Sequence, residues 1–326
     1  MFVWEVTISA TESPMSSKLI LIASIVLVFV GSHLAKKGTE GGLRRVASSA
    51  ITSPEKHPRF PAQAPLSARR IISIAPSATE VLFALGLGDR VVGVTRYCNY
   101  PPQAAAKPRI GGLLDPNFEA IVALRSDLIV MLEGSQENQP AFDRLGLPTL
   151  IVNHKSVEGI LASITDIGRS CGVAPKAEAI VADIHARLRR VQEQVGGRPQ
   201  PRVMFCVERT LGAGKIQDVY IAGADGHLDR MVALAGGVNA YQGSVRFPVV
   251  SSEGILKLNP EVIIDIVPQL APGADRQKIL ADWQQLAQVD AVRKGRVYVL
   301  DENYISVPGP RFILVVEKLA QLLHHL

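Results

Sequence analysis

Residues 117–130 read NFEAIVALRSDLIV, and residues 251–264 read SSEGILKLNPEVII. Laid over one another, the two stretches place Glu119 on Glu253, Ile121 on Ile255, Leu124 on Leu258 and Asp127 on Glu261. Both give an acidic residue, apolar positions two, three and five later, a second acidic residue at eight, and then an apolar run. This is the pattern of a short amphipathic helix that breaks at a turn and feeds a strand apolar on both faces, as strands of parallel sheets are. The copies stand 134 residues apart (253 minus 119), which predicts two similar α/β lobes. Helix-to-strand units also recur in α/β proteins without duplication, so the pattern alone leaves both readings open.

The flanking sequence fits the same plan. Ile71, Ile72, Ile74 and Ala75 read as a strand closed by Pro76, and Ser77 to Glu80 has capping-box spacing, with Ser77 as N-cap and Glu80 reaching back. A second strand, Val91 to Val94, empties into a loop that carries Arg96, Tyr97, Cys98 and Tyr100 and ends in two prolines. Open α/β sheets place ligands at such loops, past the C-terminal ends of strands; a stiff turn with locally packed tyrosines is the other reading. Asp115 is expected to cap a helix with Pro116 at its first position. Glu119 then sits in the first turn, where the helix dipole favours an anion. Residues 69–155 make up this N-terminal lobe.

Residues 156–198 are read as connecting helices. Ser156 opens one, and a longer one from Lys176 to Val195 carries Ala179, Ile180, Ile184, Leu188, Val191 and Val195 on one stripe. At about 30 Å for twenty residues it is long enough to brace one lobe against the other. His185, Arg187, Arg189 and Arg190 are placed on its solvated face. Residues 199–326 form the C-terminal lobe, with strands at Val203 to Val207, Val219 to Ala222, Val262 to Val267 and Val297 to Leu300, and a helix at Ile279 to Val289. A loop from Asp301 to Pro310 holds Tyr304.

Composition bounds the function. The 326 residues are 47% hydrophobic, enough for two α/β cores. Residues 1–70 hold nine of the 35 Lys and Arg and four of the 30 acidic residues, leaving 26 of each from Ile71 onward. The net charge of +5 therefore belongs to the leader. A neutral body offers no general attraction to phosphate backbones, and nucleic-acid binding is excluded on that ground. Lys18 precedes an uncharged run from Leu19 to Gly31, the length of a signal h-region and short for a membrane span. Met15 is the better start for such a signal, because residues 1–14 carry Glu5 and Glu12 and no positive charge. Residues 1–35 are read as a signal peptide cleaved near Ser32 or an uncleaved anchor, with Leu19 to Gly31 as a possible membrane tether. No Cys follows the run, so lipid attachment is not indicated. Residues 36–68, rich in Ser, Pro, Gly, Lys and Arg, are a flexible tether.

Catalytic signatures are absent. There is no zinc-type His pair, nucleophile elbow or Walker loop, and Gly212 to Lys215 (GAGK) lacks the spacing and hydroxyl residue of a phosphate loop. His154, His185 and His227 could form a metal-binding trio, although scattered histidines are more often satisfied or solvated. Cys98, Cys171 and Cys206 lack metal-type spacing, and in an exported protein two of them could pair. No catalytic residue, resident metal or cofactor is expected.

The segments Arg70 to Glu80 (RIISIAPSATE), Leu85 to Pro102 (LGLGDRVVGVTRYCNYPP), Pro108 to Leu124 (PRIGGLLDPNFEAIVAL) and Ala235 to Asn239 (AGGVN) resemble the helical-backbone (class III) periplasmic substrate-binding proteins. These serve ABC importers of cobalamin, haem and ferric siderophores, and the likeness points in particular to the vitamin B12-binding branch. It covers Arg69 to the C-terminus. It implies an α/β fold of two Rossmann-like lobes with mainly parallel sheets joined by one long rigid helix, an extracytoplasmic location and no enzymatic activity. It further implies that one acidic residue on each lobe docks into arginines of a dimeric permease, and these positions fall on Glu119 and Glu253. The cargo is expected to be cobalamin or a related metal chelate, with haem or a ferric siderophore as the alternative; a membrane-tethered sensor or an enzyme on paired lobes is the reading from another class. Tyr97, Tyr100, Phe247 and Tyr304 would cover the faces of a flat macrocycle, while Arg96, Glu208, Arg209 and Arg246 would meet its polar edges. Leu113 and Leu132 stand where cobalamin-binding relatives tend to have tryptophan, and Trp283 is expected away from the cleft.

Overall fold

The computed structural model describes residues 67–224, 226–268, 270 and 275–326. The leader, the suggested start at Met15 and nearly all of the tether lie outside the described residues. The first half of the described chain runs through β1 (Ile71–Ser73), α1 (Pro76–Ala84), β2 (Val91–Val94), α2 (Pro102–Ala105), α3 (Phe118–Ala123), β3 (Leu128–Leu132), α4 (Gln139–Arg144) and β4 (Thr149–Val152). Its sheet has the order β2-β1-β3-β4 with every neighbour parallel. Strand β3, LIVML, is buried at all five positions, which is why its sequence shows no polar alternation.

Two helices follow, α5 (Val157–Ser170) and α6 (Ala174–Val195). The rest comprises β5 (Arg202–Glu208), β6 (Val219–Ile221), α7 (His227–Leu234), β7 (Val238–Asn239), β8 (Val249–Val250), α8 (Ser252–Leu258), β9 (Val262–Ile266), α9 (Arg276–Ala281), α10 (Asp290–Arg293), β10 (Val297–Leu300) and α11 (Phe312–His324). This second sheet has the order β10-β9-β5-β6-β8, with β7 also on β5. The pairs among β10, β9, β5 and β7 are parallel, whereas β6 and β8 join antiparallel. The two-residue β8 ends the ladder on that side, and Tyr220 and Val249 face each other across it with their side chains exposed.

The internal repeat is reproduced in its main hydrogen bonds. Helix α3 is capped by Asn117, whose Oδ1 accepts from Ala120 N at 3.0 Å; α8 is capped by Ser251, whose Oγ accepts from Gly254 N at 3.3 Å. A left-handed residue follows each helix, Asn259 with φ 39° directly as the C-cap of α8 and Arg125 with φ 46° one residue past the C-cap of α3. The second acidic residue of each copy then ties down the first strand of its sheet. Asp127 accepts from Arg69 N and Arg70 N, both at 2.9 Å, and Glu261 accepts from Arg202 N at 2.9 Å. In return Arg70 donates to Leu124 O at 2.8 Å and Arg202 to Leu258 O at 2.6 Å. These guanidinium groups satisfy carbonyls that a helix C-terminus leaves without partners.

Helix α6, 22 residues long and thus about 33 Å, packs against α5 and α11. Arg187 is not on a solvated face as expected. It forms a two-point pair with Glu317 of α11, Nε to Oε1 at 2.8 Å and Nη2 to Oε2 at 2.5 Å.

Several local expectations are corrected. Helix α1 has Ala75 at its N-cap and no side-chain cap, because Ser77 and Glu80 turn to partners in other elements. Pro116 does not open a helix but bridges Gly111, and the cap falls to Asn117. The helix expected over Ile279 to Val289 is broken into α9, a 3-10 turn at Asp282–Leu286, and α10. The three cysteines are buried and free.

The break in that helix has a cause in the core. Asp282 and Trp283 are drawn inward to Arg209, whose Nε and Nη2 meet Asp265 Oδ2 at 2.9 and 2.7 Å and whose Nη1 meets Asp282 Oδ2 at 2.6 Å. Trp283 Nε1 donates to the same Asp265 oxygen at 2.9 Å. The GAGK turn closes the network, since Gly212 N and Gly214 N each reach the Asp282 carboxylate at 2.7 Å. Positive φ values of 66° and 69° at these glycines aim the amides inward, so the phosphate-loop look-alike is an anion nest filled by the chain's own carboxylate. Burial raises the Asp282 carboxyl, but Arg209 and the two amides outweigh it and hold the group below the usual range. Asp282→Ala is expected to cost about 3–5 kcal/mol, the range for stripping one partner from a buried ion network, with Asp282→Asn less harmful; urea unfolding of both variants measures this.

Candidate functional site

The loops at the C-terminal ends of the strands bring the candidate residues together in part. In the first lobe, the loop after β2 is held from beneath by Arg109, whose Nη1 donates to Thr95 O at 2.8 Å and Cys98 O at 3.0 Å. Cys98 is wholly buried, with Thr79 Oγ1 and Thr95 Oγ1 each 3.1 Å from its sulfur, and burial pushes its thiol up. It is an anchor of the loop, not a ligand atom facing solvent. Tyr97 and Tyr100 ride on this fixed base. Arg96 pairs with Asp115 and lies 5.6 Å from the Tyr97 ring centroid.

In the second lobe, Tyr304 sits in a 3-10 turn just past β10, and a residue the sequence reading did not single out reaches between it and Tyr100. Arg311 lies 3.6 Å over the Tyr100 ring and 5.6 Å from the Tyr304 ring. It is fixed by Glu80 of α1, with Nε to Oε2 at 2.8 Å, and by Asn303 at 2.8 Å. A cavity of about 480 Å³ opens beside this cluster, lined by Glu80, Phe83, Tyr100, Lys107, Pro310 and Arg311. Most of its wall belongs to the first lobe, from α1, the turn after it and the Tyr100 to Lys107 segment; the second lobe contributes Pro310 and Arg311, and Tyr304 does not line it.

Arg246 and Phe247 are half-buried on the segment before β8, which is held by Gly223 N to Arg246 O at 2.7 Å and Ile221 N to Pro248 O at 3.0 Å. Burial raises the Glu208 carboxyl. Arg209 is a correction: its guanidinium is engaged in the interior network and its side chain is only 2% exposed, so it cannot meet cargo. Leu113 and Leu132 are both buried. Trp283 is wholly buried against Arg209, as its separation from the cleft loops required.

His154 and His227 lie close enough for charge on one to be felt by the other, and His185 does not join them. His154 is gripped by Ser77 Oγ at Nδ1 and Ser163 Oγ at Nε2, both 2.7 Å. Burial lowers it to about 3, with the neighbouring His227 adding to the effect; burial and then Arg246 lower His227 to about 4. Among the described residues, no group of three or more His, Cys, Asp or Glu is placed to hold a metal ion.

Glu119 and Glu253 both lie exposed in the first turns of α3 and α8. One helical turn further on, Val122 and Leu256 are exposed at equivalent places, while the neighbouring Ile121 and Ile255 are buried. The repeat held the matching apolar positions, but which of the two faces outward is set by how each helix packs on its sheet.

Residues 71–304 match the family described as "Periplasmic binding protein". The chain belongs to that family, and its role is that of an extracytoplasmic substrate-binding protein for an ABC importer. It is 30% identical to a vitamin B12-binding protein of Vibrio cholerae over 79% of this chain and 90% of that one. It is 29% identical to the uncharacterized ABC transporter substrate-binding lipoprotein YvrC of Bacillus subtilis, over 78% and 80%. Among solved structures, the periplasmic haem-binding protein BhuT with two haems aligns with a TM-score of 0.68 at 26% identity, covering 79% of this chain and 98% of that one. The vitamin B12-binding protein BtuF of Vibrio cholerae gives 0.67 at 27%, with the same coverage. Among the described residues, no helix is long and apolar enough to cross a membrane.

The buried histidines set a pH dependence. Their folded values of about 3 and about 4 lie below the unfolded 6.5, so the native state stays neutral where the unfolded chain binds protons. Their contribution to stability is whole above pH 6.5 and declines as pH falls toward 4 and then 3, at up to about 1.4 kcal/mol per pH unit for each. Denaturant unfolding at stepped pH is expected to show this decline, and His227→Gln to remove about half of the slope attributable to the pair.

Proposed function

We propose that the chain captures a flat metal chelate between its lobes, cobalamin or another corrinoid first and haem second, and hands it unchanged to a dimeric permease. The observation that carries the reading is the convergence of Tyr100 and Tyr304, from opposite lobes, on one guanidinium. Aromatic side chains bury about 150–250 Å² each, and faces supplied from two sides suit a planar macrocycle. Tyr97 and Phe247 extend the aromatic surface, and Arg96 and Arg246 supply charge for amides or carboxylates at its rim. The naming of similar proteins for vitamin B12 and for haem supports the same cargo class. Tyrosines in place of tryptophans, with Leu113 and Leu132 recessed, make a shallower aromatic wall.

Glu119 and Glu253 are the docking groups in this reading, each flanked by its apolar neighbour, Val122 or Leu256. A carboxylate and an apolar side chain, presented twice by a duplicated unit, complement a two-fold partner that offers a cation and an apolar pocket on each half.

Calorimetric titration of the purified protein with cyanocobalamin, haemin and a ferric hydroxamate tests the cargo. Saturable binding of cyanocobalamin without chemical change is expected; haemin binding with cyanocobalamin inert selects the second reading, and silence from all three ends both. For docking, Glu119→Arg with Glu253→Arg is expected to abolish uptake in cells while leaving the Kd for cargo unchanged. Wild-type uptake by that double variant removes the docking role.

A further inference from the structure

We propose that Arg311 is a positioning residue that latches the two lobes together and fixes Tyr100 in its place at the cleft. Glu80 and Arg311 are 231 positions apart, on α1 of the first lobe and at the start of α11 of the second. The contact is therefore independent of the covalent link through α5 and α6. All three guanidinium nitrogens are used: Nε and Nη2 take the two oxygens of Glu80, and Nη1 takes Asn303 Oδ1 at 2.8 Å. The flat face that remains is the one laid on Tyr100 at 3.6 Å. Only a planar fork can serve a carboxylate edge-on and a ring face-on at once; the point charge of a lysine cannot.

The surroundings are shaped to this contact. Glu80 is 4% exposed despite its charge, so its carboxylate has exchanged water for Arg311. Burial raises it and the guanidinium opposes that rise. Gly309 lies against it, and a Cβ built there would stand 3.0 Å from Glu80 Oε2. The turn before α11 thus has its side-chain-free position where the opposite lobe's carboxylate comes closest. A cleft whose walls belong to different lobes binds more tightly when their spacing is set before the ligand arrives, because ordering them afterwards subtracts from affinity.

The test uses the full chain with Leu145→Cys in the first lobe and Gln288→Cys in the second. Both positions are exposed and outside the site, and the native cysteines are buried, so spin labels report the lobe-to-lobe distance. Arg311→Lys and Glu80→Gln are each expected to lengthen and broaden that distance without ligand. In the binding arm they should weaken cyanocobalamin or haemin by about tenfold, an expectation that rests on the proposed function. Asn303→Ala, which removes one of the three holds and no charge, is expected to give a smaller shift in the same direction. A lowered melting temperature with an unchanged distance distribution in these variants overturns the latch and leaves a merely structural pair. If the unsubstituted protein binds neither probe, the cargo reading fails while the distance arm still decides the latch.

Discussion

A gripping site built from two half-molecules depends on the separation between them, and the fold depends here on one long helix. The apolar stripe of helix α6 is buried along Ala177, Ile184, Leu188 and Val191, and its Arg187 is bound to Glu317 of α11. A helix secured along its length by packing and by a two-point ion pair bends little. The loops at the strand ends thus stand on bodies whose spacing is largely fixed before any ligand arrives.

Charge inside this protein is spent on geometry more than on net stability. Arg209, Asp265 and Asp282 sit in a lobe core where apolar residues of like volume can do as well energetically. What the trio provides is direction: it ties β5, β9, the GAGK turn and the segment after α9 to one point. The Asp127 and Glu261 carboxylates do a similar job near the surface, setting each short helix against the strand that starts its sheet. Charged groups with fixed partners define angles that packing alone leaves loose.

The parts of this design written locally were readable in sequence. Strands β1, β2, β3, β9 and β10 announce themselves as apolar runs, helix α5 opens at Ser156 as its sequence suggests, and the repeat locates Glu119 and Glu253 on matching exposed turns. Contacts between distant segments were not readable. Ser77 and Glu80 have capping-box spacing, but His154 and Arg311, supplied by remote chain, offer them better partners than the helix end does. Asp265 hides in a strand that otherwise reads as apolar, so nothing local revealed that Arg209 would be drawn inward. The break after α9 follows from that same pull on Asp282 and Trp283, against a local pattern that favours a continuous helix.

The second sheet finishes in a strand only two residues long, with Tyr220 and Val249 bare across its last rung. An open ladder end beside an apolar pair ordinarily invites a neighbour to add its own strand, but so brief an end offers too few main-chain groups to template one. The brevity of that edge lets the apolar corner stay uncovered with little opening for strand addition.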